Sequence, residues 1–342
     1  MVSVIRPRLT GWCRAVTGVV RSMARRHEQP VEVGDVLAPP SSPIGFLEGF
    51  PDVPVLQPGV RFYLDLIERR EGFAFVKRTH GFWDGLVFLS DCAPEIGARV
   101  NRGEAVEAAR VRAALNDVNI VEFTEQRSHM LNHFRDHFYT ELVEDLQRPL
   151  AIPAYIEATA FRGYPNPDSG APLAYHPVER LRGVHHSFHT SGRKAHDALV
   201  WKQAILDGTF SHVVKAIDQM PVLLIGPPHL SSIGHHLGLR EFHHIIIPLA
   251  GAPGERLSLL GRCTAALKQI TKGGRPGVVL YQAGVLAFWL IYRLFSLRPR
   301  SFHLDVGRAL DVWFPEVVGQ QPWFVKNRER IIANMRLEHL YS

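Results

Sequence analysis

After the short apolar run Phe73-Ala74-Phe75-Val76 the chain places Lys77, Arg78, His80, Gly81, Trp83 and Asp84 in quick succession. Two cations beside a histidine suit a phosphate or a sugar. His80 with Asp84 makes an acid–base or metal pair, and Trp83 offers a ring that can stack on a base or a sugar, or simply fill a core. A second group lies near the carboxyl end, in Leu304-Asp305-Val306-Gly307-Arg308-Ala309-Leu310-Asp311. A carboxylate such as Asp305 can bind a divalent cation, accept a hydrogen bond from a sugar hydroxyl, or cap the following turn. Arg308 can neutralise a diphosphate as a bidentate donor or pair with one of the flanking aspartates. Small residues complete the set: Gly226 and Pro227 after one apolar run and Gly284 after another, where the backbone can approach a ligand and a following helix would favour an anion.

These residues gain meaning from the elements that must carry them. Strands are expected at Phe73–Val76, Pro221–Ile225, Phe242–Leu249, Val278–Tyr281 and Ser301–Leu304. The spacing predicts helices over 61–70, 103–115, 127–147, 255–272 and 285–295, and a helix pair over 194–219 broken near Gly208. Near-continuous apolar strands alternating with helices indicate an α/β fold, a Rossmann-like, mainly parallel sheet with helices on both faces. Ligands of such sheets bind beyond the carboxyl ends of the strands. Four strand ends therefore nominate the site: Lys77–Asp84, Gly226–His229, Gln282–Gly284 and Asp305–Asp311. Residues 151–192 are poorly periodic and read as an excursion over that site.

Several classes are excluded or disfavoured. No G-x-G-x-x-G follows the first strand, and no Walker A sequence occurs, which argues against a dedicated dinucleotide dehydrogenase or P-loop ATPase. Cys13, Cys92 and Cys263 are far apart, so an iron–sulfur cluster, an all-cysteine zinc site and a disulfide scaffold are disfavoured. The histidine pairs His235-His236 and His243-His244 lack zinc-protease spacing, and in a strand His243 and His244 point to opposite faces. No apolar run reaches the roughly 18 residues that define a membrane-span candidate. These features fit a cytoplasmic location.

The 342 residues divide by composition into three parts. Residues 1–58 hold a basic helix, with Trp12, Val16, Val19, Val20 and Met23 at helical spacing among arginines, then a proline-rich segment from 33 onward that reads as a linker or wrapped surface. The α/β domain spans 59–318, and 319–342 is a basic helix that packs on the domain or on a partner. The formal charge of +6 permits phosphate binding. The amino-terminal helix could dock on the domain or lie as a peripheral contact on an anionic membrane.

Taken in order, four segments resemble the glycosyltransferases of the GT-D fold. Phe73–Phe82 looks like their strand ending in an acidic D-x-E. Val222-Leu223-Leu224-Ile225-Gly226-Pro227 resembles a "vvlVGp" strand, and Tyr281-Gln282-Ala283-Gly284-Val285-Leu286-Ala287 an "AGptA" element. Leu304–Asp311 resembles "lDiGh-x-D". The resemblance covers roughly residues 60–315. It implies a GT-D-like fold, a nucleotide-sugar donor (often a UDP-sugar) and a divalent metal, Mn²⁺ or Mg²⁺, held by the D-x-E. Here the chain departs: His80 and Phe82 stand where the acidic pair belongs, or Asp84 alone if the match slides, and Arg308 replaces the family's histidine. Either the metal is then held differently, or neutralisation of the diphosphate passes to Lys77, His80 and Arg308.

The resulting expectation is a glycosyltransferase that moves a sugar from a nucleotide-diphosphate donor to a hydroxyl of a glycan, lipid-linked, small-molecule or nucleic-acid acceptor. His80, Asp84 and Asp305 are the catalytic candidates. Lys77, Arg78, Gly81, Trp83, Gly226, Pro227, Gly284, Gly307, Arg308 and Asp311 are the donor-binding candidates. The alternatives are a phosphate-ester hydrolase or phosphotransferase on the same sheet, and a nucleic-acid-binding protein without catalysis, although no known reader motif is present.

Overall fold

The computed structural model describes residues 44–47, 50–78, 141, 155–159, 195–248, 252–318 and 322–335. Nine strands are present among them: β1 (Ile44–Leu47), β2 (Phe50–Leu56), β3 (Ala74–Arg78), β4 (Tyr155–Thr159), β5 (His196–Asp197), β6 (Val222–Gly226), β7 (Phe242–Ile246), β8 (Val278–Tyr281) and β9 (Phe302–Asp305). They form one sheet in the order β1-β2-β5-β4-β3-β9-β8-β6-β7. Every neighbouring pair is parallel except β1 with β2. The described helices are α1 (Gly59–Glu68), α2 (Val200–Leu206), α3 (Phe210–Ile217), α4 (Ile233–His236), α5 (Arg256–Ile270), α6 (Val285–Phe295), α7 (Pro315–Val318) and α8 (Pro322–Met335). This is the Rossmann-like α/β architecture that the alternating pattern requires.

The pleat of β3 shows how the sequence sorts its side chains. Phe73 and Phe75 face α1 and α2, where Tyr63 and Trp201 meet them at ring-centroid distances of 5.3–6.0 Å. Alternate residues face the other side, so Arg78 reaches Phe288 of α6. The central strands are buried on both faces: Val222–Gly226, Val278–Tyr281 and Phe302–Asp305 are buried throughout. Continuous apolar runs, rather than alternation, are what two covered faces demand. On the α6 side, Glu141 clamps two elements together. Its carboxylate accepts from Arg256 Nε of α5 at 3.0 Å and from Trp289 Nε1 of α6 at 2.7 Å.

Two segments differ from the sequence expectation. Residues within the proline-rich stretch form the β1–β2 hairpin at one sheet edge. Proline is tolerated there because β2 meets its other neighbour, β5, only at Leu56 opposite His196. The poorly periodic region 151–192 contains a regular strand, β4, paired in register along the whole of β3. Its charged residue, Glu157, breaks the apolar pattern because it answers Arg78 across the ladder, with Nη2 to Oε1 at 2.6 Å. The remaining expected elements follow closely, including the helix pair with its break at Gly208, which adopts φ +82°. The expected helices at 103–115 and 127–147 lie outside the described residues apart from helical Glu141, as does the amino-terminal basic helix.

Chain direction creates a crevice. From β6 the chain moves outward to β7, whereas from β8 it moves the opposite way to β9. Such a reversal leaves an opening between the two strand ends. The register puts Ile225, Tyr281 and Asp305 in one row. Gly226, the last residue of β6, therefore stands beside Gln282 and Val306, which start the loops after β8 and β9.

Candidate active site at the carboxyl edge of the sheet

Asp305 is the last residue of β9 and is buried. Its Oδ1 accepts from the Gly307 backbone N–H at 3.0 Å, which shapes the turn after the strand. Gly307 has φ +55°, a conformation that costs a side-chain-bearing residue. A Cβ built there would stand 2.7 Å from Lys77 Nζ, so the glycine also admits the lysine. Lys77 is itself buried. Burial pushes its amine below the ordinary lysine range, while Asp305 and Asp197 pull it back up. Burial pushes Asp305 up to about 6, against the opposing influence of Lys77 and of the backbone N–H groups of Gly307 and Lys77. The two charges thus stabilise each other where neither is well solvated.

Asp311 follows within the 3-10 segment Gly307–Trp313, with a side chain only 1% exposed. Three side chains from three strand ends donate to it. Arg308 Nε reaches Oδ2 at 2.6 Å, His229 Nε2 reaches Oδ1 at 2.9 Å, and Gln282 Nε2 reaches the same Oδ1. Asp311 is therefore an organiser of neighbouring groups, and its carboxylate is fully engaged. Arg308 pairs with it as one of the two sequence readings allowed, yet its side chain remains 56% exposed.

Lys202 of α2 joins these two groups from the helical layer. Burial drives its amine well below the ordinary lysine range, with Lys77 and Arg308 adding like-charge repulsion and Asp311 opposing them. Three cations, Lys77, Lys202 and Arg308, thus gather around Asp305 and Asp311.

The glycines contribute unequally. Gly284 adopts φ 55° and ψ −139°, and a Cβ there would meet nothing within 4 Å. It opens directly into α6, whose first turn has no side-chain cap. Leu286 N–H and Ala287 N–H turn back onto the carbonyls of Ala283 and Gly284 at 3.2 and 3.1 Å, and the turn carries the positive end of the helix dipole. Gly226 differs. Its carbonyl accepts from His244 Nε2 at 3.1 Å, and a 3-10 turn with the four-residue α4 follows Pro227. No long helix end is presented there.

The structure thus brings together Lys77, Asp305, Gly307, Arg308 and Asp311, and places Gly226, Pro227 and Gly284 on the same edge. Arg78 departs from them. On the opposite face of β3 it is engaged by Glu157 and lies 5.4 Å over the Phe288 ring, tying β3, β4 and α6. His80, Gly81, Trp83 and Asp84 lie outside the described residues. His229 and Gln282 sat within the nominated strand ends without a role assigned. Lys202 carried no signal, because a lone lysine on an amphipathic helix reads as solvated.

The divalent metal implied by the GT-D resemblance does not fit the described donor set. Asp305 is turned onto Gly307 and Lys77, Asp311 onto three donors, and no three His, Cys, Asp or Glu side chains among the described residues converge as ligands. No described helix is long and apolar enough to cross a membrane. No protein-family model, curated protein or solved structure matches the chain.

Proposed function

We propose that the chain is a glycosyltransferase whose donor is a nucleotide-diphosphate sugar, in keeping with its likeness to the GT-D enzymes. The observation that carries this reading is the gathering of Lys77, Lys202 and Arg308 at the sheet's carboxyl edge, the edge onto which the amino end of α6 also opens. Buried Lys77 makes the charged form of half-buried Lys202 costlier in the protein alone. A diphosphate would relieve that repulsion.

In this mechanism the cations and the α6 amino end hold the diphosphate and stabilise the charge that develops on it as the glycosidic bond breaks. Asp305 keeps Lys77 charged and shapes the Gly307 turn. Asp311 holds Arg308 in place. The acceptor hydroxyl attacks the anomeric carbon, and the nucleoside diphosphate leaves.

Thermal unfolding in the presence of a nucleotide-sugar panel, with and without Mn²⁺ or Mg²⁺, tests the reading. A ligand at about 100 times its Kd should stabilise the folded state by about 2.7 kcal/mol. At least one nucleotide sugar should raise Tm. Absence of any shift under both conditions would remove the donor reading. Release of free phosphate from nucleotides, rather than nucleoside diphosphate from the sugar donor, would favour the hydrolase or phosphotransferase alternative.

A further inference from the structure

Asp311 fixes more than Arg308. Because its carboxylate oxygen accepts from His229 Nε2 at 2.9 Å, the neutral imidazole holds its one proton on Nε2 and presents Nδ1 as a lone-pair acceptor. The ring is steadied by Phe314, edge-on at 5.6 Å, and keeps a side-chain exposure of 20%. The same carboxylate oxygen orients the Gln282 amide. With Nε2 given to Asp311, Oε1 is left buried without a protein partner. Flipping the amide would set oxygen against carboxylate, so this orientation is enforced. A buried acceptor without a donor is costly in a folded protein and calls for an explanation.

Two acceptors, His229 Nδ1 and Gln282 Oε1, are therefore anchored on one carboxylate oxygen at the β6–β8 chain reversal. Their shared complement is a ligand rich in O–H donors. We propose that His229 is the base that takes the proton of the attacking acceptor hydroxyl, that Asp311 positions it, and that Gln282 Oε1 orients the polyhydroxyl ligand. The proposal rests on the transferase reading and assigns the base within it. The step balances: the acceptor oxygen forms a bond to the anomeric carbon, the bond from that carbon to the diphosphate oxygen breaks, the hydroxyl proton moves to His229 Nδ1, and the nucleoside diphosphate departs with the bonding pair. Asp311 accepts from the ring on the far side and stabilises the imidazolium, as a buried carboxylate behind a histidine does.

The test compares the wild-type full chain with His229→Ala and His229→Gln. The measured quantities are UDP release from a panel of UDP-sugars in the presence of alkyl glycosides, hydroxyl-bearing peptides and glycerol lipids, thermal protection by UDP, and recovery of turnover with added imidazole. Loss of a general base should lower turnover by about 10²–10⁴-fold. UDP protection should stay at the wild-type level in both variants, which also shows that they fold. Added imidazole should restore turnover to His229→Ala and not to the bulkier His229→Gln. Turnover unchanged in both variants, or lost in His229→Ala with UDP protection intact and no recovery with imidazole, would overturn the assignment of His229. A wild-type chain neither protected by nor active on any nucleotide sugar removes the donor reading and this proposal together. Wild-type turnover with fully active variants removes this proposal alone.

Discussion

Asp305 and Lys202 are the residues whose chemistry is least compatible with stability alone, and that conflict makes them testable. Asp305 titrates near 6 in the folded chain against an ordinary 3.8. Between those values the folded state holds the proton more tightly than the unfolded one, so stability falls as pH rises through the window. The loss is complete above about pH 6 and amounts to roughly 3 kcal/mol. Asp305→Asn, which cannot ionise, should therefore gain in Tm over wild type as pH is raised from 4 to 6, with a constant difference above that. It should also lose protection by UDP-sugars, because Lys77 then lacks its buried partner. A difference in Tm that does not change with pH would contradict the assignment. Lys202→Met removes a half-buried amine from beside Lys77 and Arg308. It should raise Tm in the absence of ligand and weaken nucleotide-sugar binding by about 10–100-fold, the worth of one charge-assisted hydrogen bond. Titration calorimetry that finds wild-type affinity in this variant would remove Lys202 from the donor site.

At the scale of elements, the site depends on which parts of the sheet declare themselves locally. Val222–Gly226, Val278–Tyr281 and Phe302–Asp305 are legible because burial on both faces forces unbroken apolar sequence, and a parallel arrangement then puts all their carboxyl ends together. β4 is hidden because Glu157 interrupts its pattern, and the reason for that residue, Arg78, lies in a strand remote in sequence. β5 spans only two residues, too short to leave any periodic trace. The functional residues divide in the same way. Asp305 and Gly307 are marked by their place at the end of a strand. His229 and Gln282 lie at legible strand ends too, but their roles arise from a shared carboxylate 82 and 29 residues away. Lys202 comes from α2, which approaches from the layer above the sheet, so nothing in its local sequence points to the site. Arg78 shows the converse: adjacent to Lys77, it seemed equivalent until the pleat separated the two faces.

Across the molecule's described residues, the sheet carries two buried histidines whose protonation opposes that of Asp305. His196 on β5 pairs with Tyr63 Oη of α1 at 2.7 Å, and burial pushes it down to about 4. His303 on β9 pairs with Tyr281 Oη of β8 at 2.8 Å, and burial pushes it down to about 3. The unfolded chain protonates each near 6.5, so between 6.5 and 4 the unfolded state binds more protons at these sites and stability falls with acidification. Each histidine removes about 3 kcal/mol by pH 4, whereas Asp305 returns a similar amount over the same interval. The net loss from the three groups is about 3 kcal/mol, a large share of the 5–15 kcal/mol typical of a folded chain. Urea midpoints measured from pH 7.5 to 4 should fall in wild type and fall more steeply in Asp305→Asn, since the compensating proton uptake is gone. His303→Asn, which keeps an acceptor for Tyr281 but cannot be protonated, should flatten the profile. Combining both changes should leave a slope set mainly by His196. Parallel profiles in all four proteins would show that neither group titrates as its burial requires, whereas opposite changes of slope would place a stabilising and a destabilising proton on the same strand, two residues apart.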